Sequence, residues 1–122
     1  MRMKYPRTPH LPWSRPDEDD IWIDGDAFRP DTQVVVTEKL DGENTSIYND
    51  GSVHARSMDS GDHPSRHIVK AIAGSMVGQM SSDIVLLGEN VYAKHSIHYD
   101  RLESYFYLFG VRTAQRFLSW PM

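Results

Sequence analysis

The chain reads as an α+β fold, an antiparallel sheet with one helix packed on it. Three observations carry that reading. Apolar runs recur at Val34-Val35-Val36, Ile84-Val85-Leu86-Leu87 and Tyr105-Phe106-Tyr107-Leu108-Phe109, and β-branched and aromatic runs favour strands. Asn49-Asp50-Gly51 is a hairpin turn sequence between two short extended stretches. A single stretch, with Ile68, Ile72, Met76 and Met80 four residues apart, has the spacing of one helix face.

The elements follow in order. Lys4 to Pro12 holds three prolines and reads as an extended arm. The acidic run Asp17-Glu18-Asp19-Asp20 reads as a solvated loop. Ile21-Trp22-Ile23 is a short strand candidate closed by a turn at Asp24-Gly25-Asp26. Val34 onward is expected to be a buried strand, with Lys39 at its end and the turn Asp41-Gly42 immediately after. Thr45 to Tyr48 is a second strand, and Ser52 to Ser57 folds back against it. Alternation there puts Val53, Ala55 and Ser57 on one face and His54 and Arg56 on the other. Ser65 is the expected cap of a helix from Arg66 to Met80, weakened by Gly74 and Gly78. Ile84 to Leu87 is a buried strand that runs into Gly88-Glu89-Asn90. Tyr105 to Val111 is a further strand, with Tyr105, Tyr107 and Phe109 expected on one face.

At 122 residues and 39% hydrophobic content, the chain has room for one modest domain. It contains no cysteine, so disulfides and thiolate metal sites are excluded. No apolar run has the length of a membrane span, and no apolar stretch follows the basic N-terminus as in a secretory signal. A cytoplasmic location and no membrane partner are the expectation. The net charge of −4 is not that of a general nucleic-acid binder. From Val53 to Lys70, however, Arg56, Arg66 and Lys70 outweigh Asp59 and Asp62, which leaves room for a local phosphate site.

Chemistry centres on Glu38-Lys39-Leu40-Asp41-Gly42. A lysine held at a sheet end among carboxylates is a candidate nucleophile once its ammonium loses a proton. A solvated lysine at a hairpin end is the plainer alternative. Elsewhere, strand ends deliver an arginine, a glutamate and an aromatic ring. These suit phosphate, ribose hydroxyls and a base. Neither Gly-x-x-x-x-Gly-Lys-Ser/Thr nor Gly-x-Gly-x-x-Gly occurs, so the usual phosphate cradles at helix N-termini are absent.

Glu38-Lys39-Leu40-Asp41-Gly42 resembles motif I of the covalent nucleotidyltransferases, the superfamily of ATP-dependent DNA ligases, RNA ligases and mRNA capping enzymes. Leu87-Gly88-Glu89-Asn90 resembles motif III. The region from Tyr92 through Val111 is similar to the motif III to IIIa region of nick-sealing RNA ligases, and the arm Tyr5 to Pro12 looks like the N-terminus of phage and bacterial members.

The resemblance implies antiparallel sheets around an adenylate pocket, as in nucleotidyltransferase and ATP-grasp-like ligase domains. It implies an ATP-dependent RNA ligase acting in RNA repair. Lys39 would form a lysyl-AMP, and Glu38 and Leu40 would lie along the adenine pocket. Asn44 and Arg56 would contact ribose and phosphate, Glu89 the ribose hydroxyls, and Phe109 would stack on adenine. The implied cofactors are ATP, as AMP donor, and Mg2+, with no residue assigned as a metal ligand. The implied partners are RNA ends, 3′-OH and 5′-phosphate. Motifs IV and V have no counterpart here, and no lysine follows Lys94. Residues 1–122 are therefore expected to be the N-terminal part of the catalytic domain, incomplete at the C-terminus and impaired alone. The missing motifs would lie on a further segment or a second polypeptide. A DNA ligase or capping-type enzyme, or a nucleotide- or RNA-binding relic without chemistry, are the alternatives.

Overall fold

A computed structural model describes residues 2–14, 21–24 and 28–119. The acidic run 17–20, the turn at Gly25-Asp26 and the terminal Trp120-Pro121-Met122 lie outside the described residues. The chain divides into two units, Tyr5–Thr37 and Met1–Lys4 with Glu38–Met122.

In the smaller unit residues 5–9 carry no helix or strand, and His10 makes an isolated parallel bridge with Trp22. His10 N–H donates to Ile21 O at 2.7 Å, and Ile23 N–H donates to His10 O at 2.8 Å. The expected strand over Ile21-Trp22-Ile23 is reduced to this bridge. The expected buried strand from Val34 does not form either. Residues 33–41 carry no strand, and Val36 is 90% exposed. β-Branching favours extended backbone, but a strand also needs a partner edge. No described residue pairs with this stretch as a strand.

That unit is built on one four-stranded antiparallel sheet. Its strands are β1 (Glu43–Tyr48), β2 (Val53–Ala55), β3 (Val85–Asn90) and β4 (Phe106–Arg112), in the order β2-β1-β3-β4. The β1–β2 hairpin forms as its sequence predicts. Gly51 N–H donates to Tyr48 O, and Tyr48 N–H donates to Ser52 O, each at 3.0 Å. Gly51 sits at φ +83°, the left-handed position that closes a three-residue loop of this type. β2 stops at Ala55, well short of Ser57, because Ala55 N–H turns to Ser60 Oγ at 3.0 Å.

A 3-10 turn, Pro64–Arg66, leads into helix α1, His67–Ser75. The turn is capped by His63 rather than by Ser65. Ser65 N–H donates to His63 Nδ1 at 3.2 Å. The helix ends before Met80, where Gly78 N–H bonds to Asn49 O at 3.1 Å and Asn49 Nδ2 to Met80 O at 2.6 Å. Its buried face is Val69 and Ala73, rotated from the expected Ile68–Met80 stripe. Small Ala73 lets the helix lie close to the sheet. Ile47, Val69 and Ala73 are fully buried there, with Val53, Met80, Leu86 and Phe106 packed around them. Burying a side chain such as Ile47 or Val69 contributes about 1.5–3 kcal/mol before ordering costs.

On the opposite face Tyr48, His54 and Arg112 are buried together. His54 Nδ1 lies 2.6 Å from Ala55 O, which can only accept, so this nitrogen carries the hydrogen. Nε2 then accepts from the Tyr48 hydroxyl at 2.7 Å. That hydroxyl in turn accepts from Met3 N–H at 3.3 Å. In β4 the pairing shifts between Leu87 and Gly88, so Phe109 is an extra residue of a bulge, which breaks the expected alternation after Tyr107. No helix among the described residues is long and apolar enough to cross a membrane.

Candidate functional site

Motif residues gather where β1 begins and β3 ends. Asn44 and Glu89 are register partners in this ladder, as are Glu43 and Asn90. Lys39 lies on irregular backbone four residues before β1, not at the end of a strand, and is exposed with Glu38. Leu40 is half-buried.

What holds the Lys39 segment against the sheet is a set of long-range bonds. Gly42 N–H donates to Glu89 Oε1 at 3.1 Å. Asp41 N–H donates to the Tyr99 hydroxyl at 2.8 Å. Asp41 Oδ2 accepts from Ser96 N–H at 2.7 Å, Ser96 Oγ at 2.5 Å and Ile97 N–H at 3.0 Å. The Ser96 hydroxyl and these two amides hold the Asp41 carboxyl below the ordinary aspartate range. Gly42 has to be a glycine. A Cβ there would lie 2.4 Å from Asn90 O and 2.9 Å from Val91 Cγ1.

Glu89 behaves differently. Burial pushes its carboxyl above the ordinary glutamate value, opposed by the Gly42 amide and then by the charge of Lys39. Lys39 is thus close enough to act on Glu89. Asn44 Oδ1 and Ser46 Oγ, on the same face of β1, are buried with no partner among the described residues. An orphaned acceptor beside a half-buried carboxylate is a place for a ligand that donates hydrogen bonds.

Glu43 takes a bidentate ion pair from Arg66, with Nε to Oε1 at 2.7 Å and Nη2 to Oε2 at 2.8 Å. The Arg66 hydrogen bonds lower the Glu43 pKa, and those same bonds raise that of Arg66.

The structure therefore brings Lys39, Leu40, Asn44 and Glu89 to one sheet end. It does not bring Arg56 to them. Arg56 stands exposed beyond the last residue of β2, where alternation no longer governs direction. Phe109 is half-buried in the β4 bulge, two residues past Tyr107, the partner of Glu89. Sequence reasoning missed the Asp41 latch to Ser96-Ile97 and the Glu43–Arg66 pair. Their sole local trace is polar residues in the loop after β3 and in the turn before α1.

The chain matches the family model described as RNA ligase over residues 32–122. It belongs to the RNA ligase family, and its function is of RNA-ligase type. No curated protein and no solved structure matches it.

Proposed function

We propose that this chain forms a lysyl-AMP from ATP at Lys39, as the first step of joining a 3′-OH to a 5′-phosphate RNA end. The observation that carries the reading is the bond from Gly42 N–H to Glu89, which joins the segment behind Lys39 to the end of β3. Two motifs 47 positions apart thereby meet beside an orphaned buried acceptor.

Lys39 Nζ, as the free amine, attacks the α-phosphorus of ATP. A nitrogen–phosphorus bond forms, the bond to the bridging oxygen breaks, and pyrophosphate leaves. An oxygen of the RNA 5′-phosphate then displaces Nζ, giving a phosphoanhydride with AMP. The 3′-OH attacks that 5′-phosphorus, AMP leaves, and the hydroxyl proton passes to a base or water.

Glu89 keeps Oε2 for the ribose hydroxyls, and Asn44 Oδ1 accepts a further hydroxyl hydrogen. Glu38 and Leu40 flank the adenine and Phe109 stacks on it. Magnesium supplies charge neutralisation on the phosphates when bound.

The test is ATP labelled at the α-phosphate, with magnesium, followed by denaturing electrophoresis. Covalent label on the wild type that is lost in Lys39→Ala is expected. Label that survives Lys39→Ala refutes the nucleophile. Nucleotide bound without covalent label, and still none when a segment carrying motifs IV and V is added, marks a binding module in place of an enzyme; label restored by that addition marks a fragment.

A further inference from the structure

A cavity of about 280 Å³ opens at the same end of the sheet, on the side that faces α1. Its wall includes Glu43, His63, Ser65, Arg66, Lys94 and His95. The side is set by contacts. Glu43 pairs with Arg66 of the turn before α1, and Asn90 Nδ2 donates to Ser65 O at 3.0 Å. The adjacent Asn44 and Glu89 point to the opposite face, because successive strand residues alternate. The cavity and the Asn44–Glu89 site thus lie back to back across the same two strand ends.

The charge on this wall is positive. Glu43 is the one carboxylate among the described residues lining it, and Arg66 occupies both its oxygens. Arg66 Nη1 is also engaged, donating to Gly61 O at 2.5 Å. What remains is Lys94, with no partner among the described residues, and the imidazoles of His63 and His95. Nδ1 of His63 is taken by Ser65 at 2.7 Å from its Oγ, which leaves Nε2 toward solvent. Free donors and one free cation around a carboxylate already neutralised describe an anion site, and nitrogen donors of this kind favour phosphate. Lys94 and His95 lead directly into Ser96, which bonds Asp41 Oδ2 through its amide at 2.7 Å and its hydroxyl at 2.5 Å, so the loop that lines the cavity is tied to the Lys39 segment.

We propose that this cavity holds the terminal phosphate of an RNA strand and presents it to Lys39 from the helix side of the sheet. This rests on the ligase reading above, in which the nucleotide occupies the other face. A phosphate that must reach the adenylate then has its own approach, and the two ligands do not compete for one pocket.

The experiment is equilibrium binding of a short fluorescent RNA, with and without a 5′-phosphate, to the full chain in the absence of ATP. The expected result is about tenfold tighter binding of the phosphorylated strand, the scale of one charge-assisted contact. Lys94→Gln and His95→Gln should each remove most of that preference. In the wild type, the imidazole NMR signals of His63 and His95 should move with the phosphorylated strand and not with the unphosphorylated one. Equal affinity for both strands overturns the proposal. So does a preference intact in both variants, or imidazoles that move with pyrophosphate but not with phosphorylated RNA. No bond forms in this assay, so a Lys39 that stays unlabelled even with the missing motifs supplied would refute the chemistry and leave the binding result readable. A labelled Lys39 without a phosphate preference would overturn the cavity assignment alone.

Discussion

Replacing Gly42 by alanine tests how the Lys39 segment is seated. The new Cβ would stand 2.4 Å from Asn90 O, against 3.4 Å for an ordinary contact, so about 1 Å must be found. Asn90 cannot supply it. Its backbone lies between Glu43 and Phe106 in the sheet, and its side chain is tied to Ser65 O. The segment carrying Lys39 must move instead, and the Gly42–Glu89 bond, now 3.1 Å, stretches past hydrogen-bond range. A bond to a charged acceptor contributes about 1.5–3 kcal/mol and overpacking costs about 1–3 kcal/mol. The two share one displacement and do not add in full, so a loss of about 2–4 kcal/mol is expected. At ~2 kcal/mol per molar of urea, the unfolding midpoint drops by about 1–2 M. Covalent labelling of Lys39 should fall by at least about tenfold, since a 1 Å misplacement can cost that much or more. A midpoint unchanged within error, with labelling within about twofold of wild type, would refute the claim that close approach at Gly42 positions Lys39.

Two further outcomes follow from the charges. Arg66 lowers the Glu43 pKa, so the stability this pair contributes is present above the ordinary glutamate value and is lost as pH falls through the lower folded value. Arg66→Ala should cost about 1–2 kcal/mol near neutrality, with the difference from wild type shrinking in acid; a pH-independent difference in urea titrations would contradict this. Lys39 holds the Glu89 carboxyl down against the effect of burial, so in Lys39→Ala Glu89 should titrate at still higher pH by carbon NMR. An unmoved titration would show that the two charges do not meet.

The parts of the fold legible in the sequence are those set by short-range rules. Asn49-Asp50-Gly51 specifies its hairpin because Gly51 accepts the left-handed backbone that the loop requires. Ile84 to Leu87 and Tyr105 to Val111 are apolar enough to be strands wherever they lie; β4 falls within a residue of the second, while β3 begins within a residue of the first and runs on through Gly88-Glu89-Asn90. Val34-Val35-Val36 misleads for the converse reason. Its extended preference is local, whereas pairing depends on a free edge elsewhere in the chain.

The sequence by itself determined the α+β class, the hairpin, the single helix and the motif that marks the family. It also pointed to Lys39 and Glu89 through their neighbours. Tertiary structure alone decided that Gly42 would reach Glu89, that Asp41 would latch onto Ser96 55 residues away, and that Glu43 would be neutralised by Arg66. It also left Arg56 outside the site and placed Phe109 in a bulge. Turns and periodicities are written in neighbouring residues, because steric and hydrogen-bond preferences act over a few positions. A site assembled from a loop, a strand end and a turn depends on where the folded sheet brings distant backbone together, and no local pattern records that.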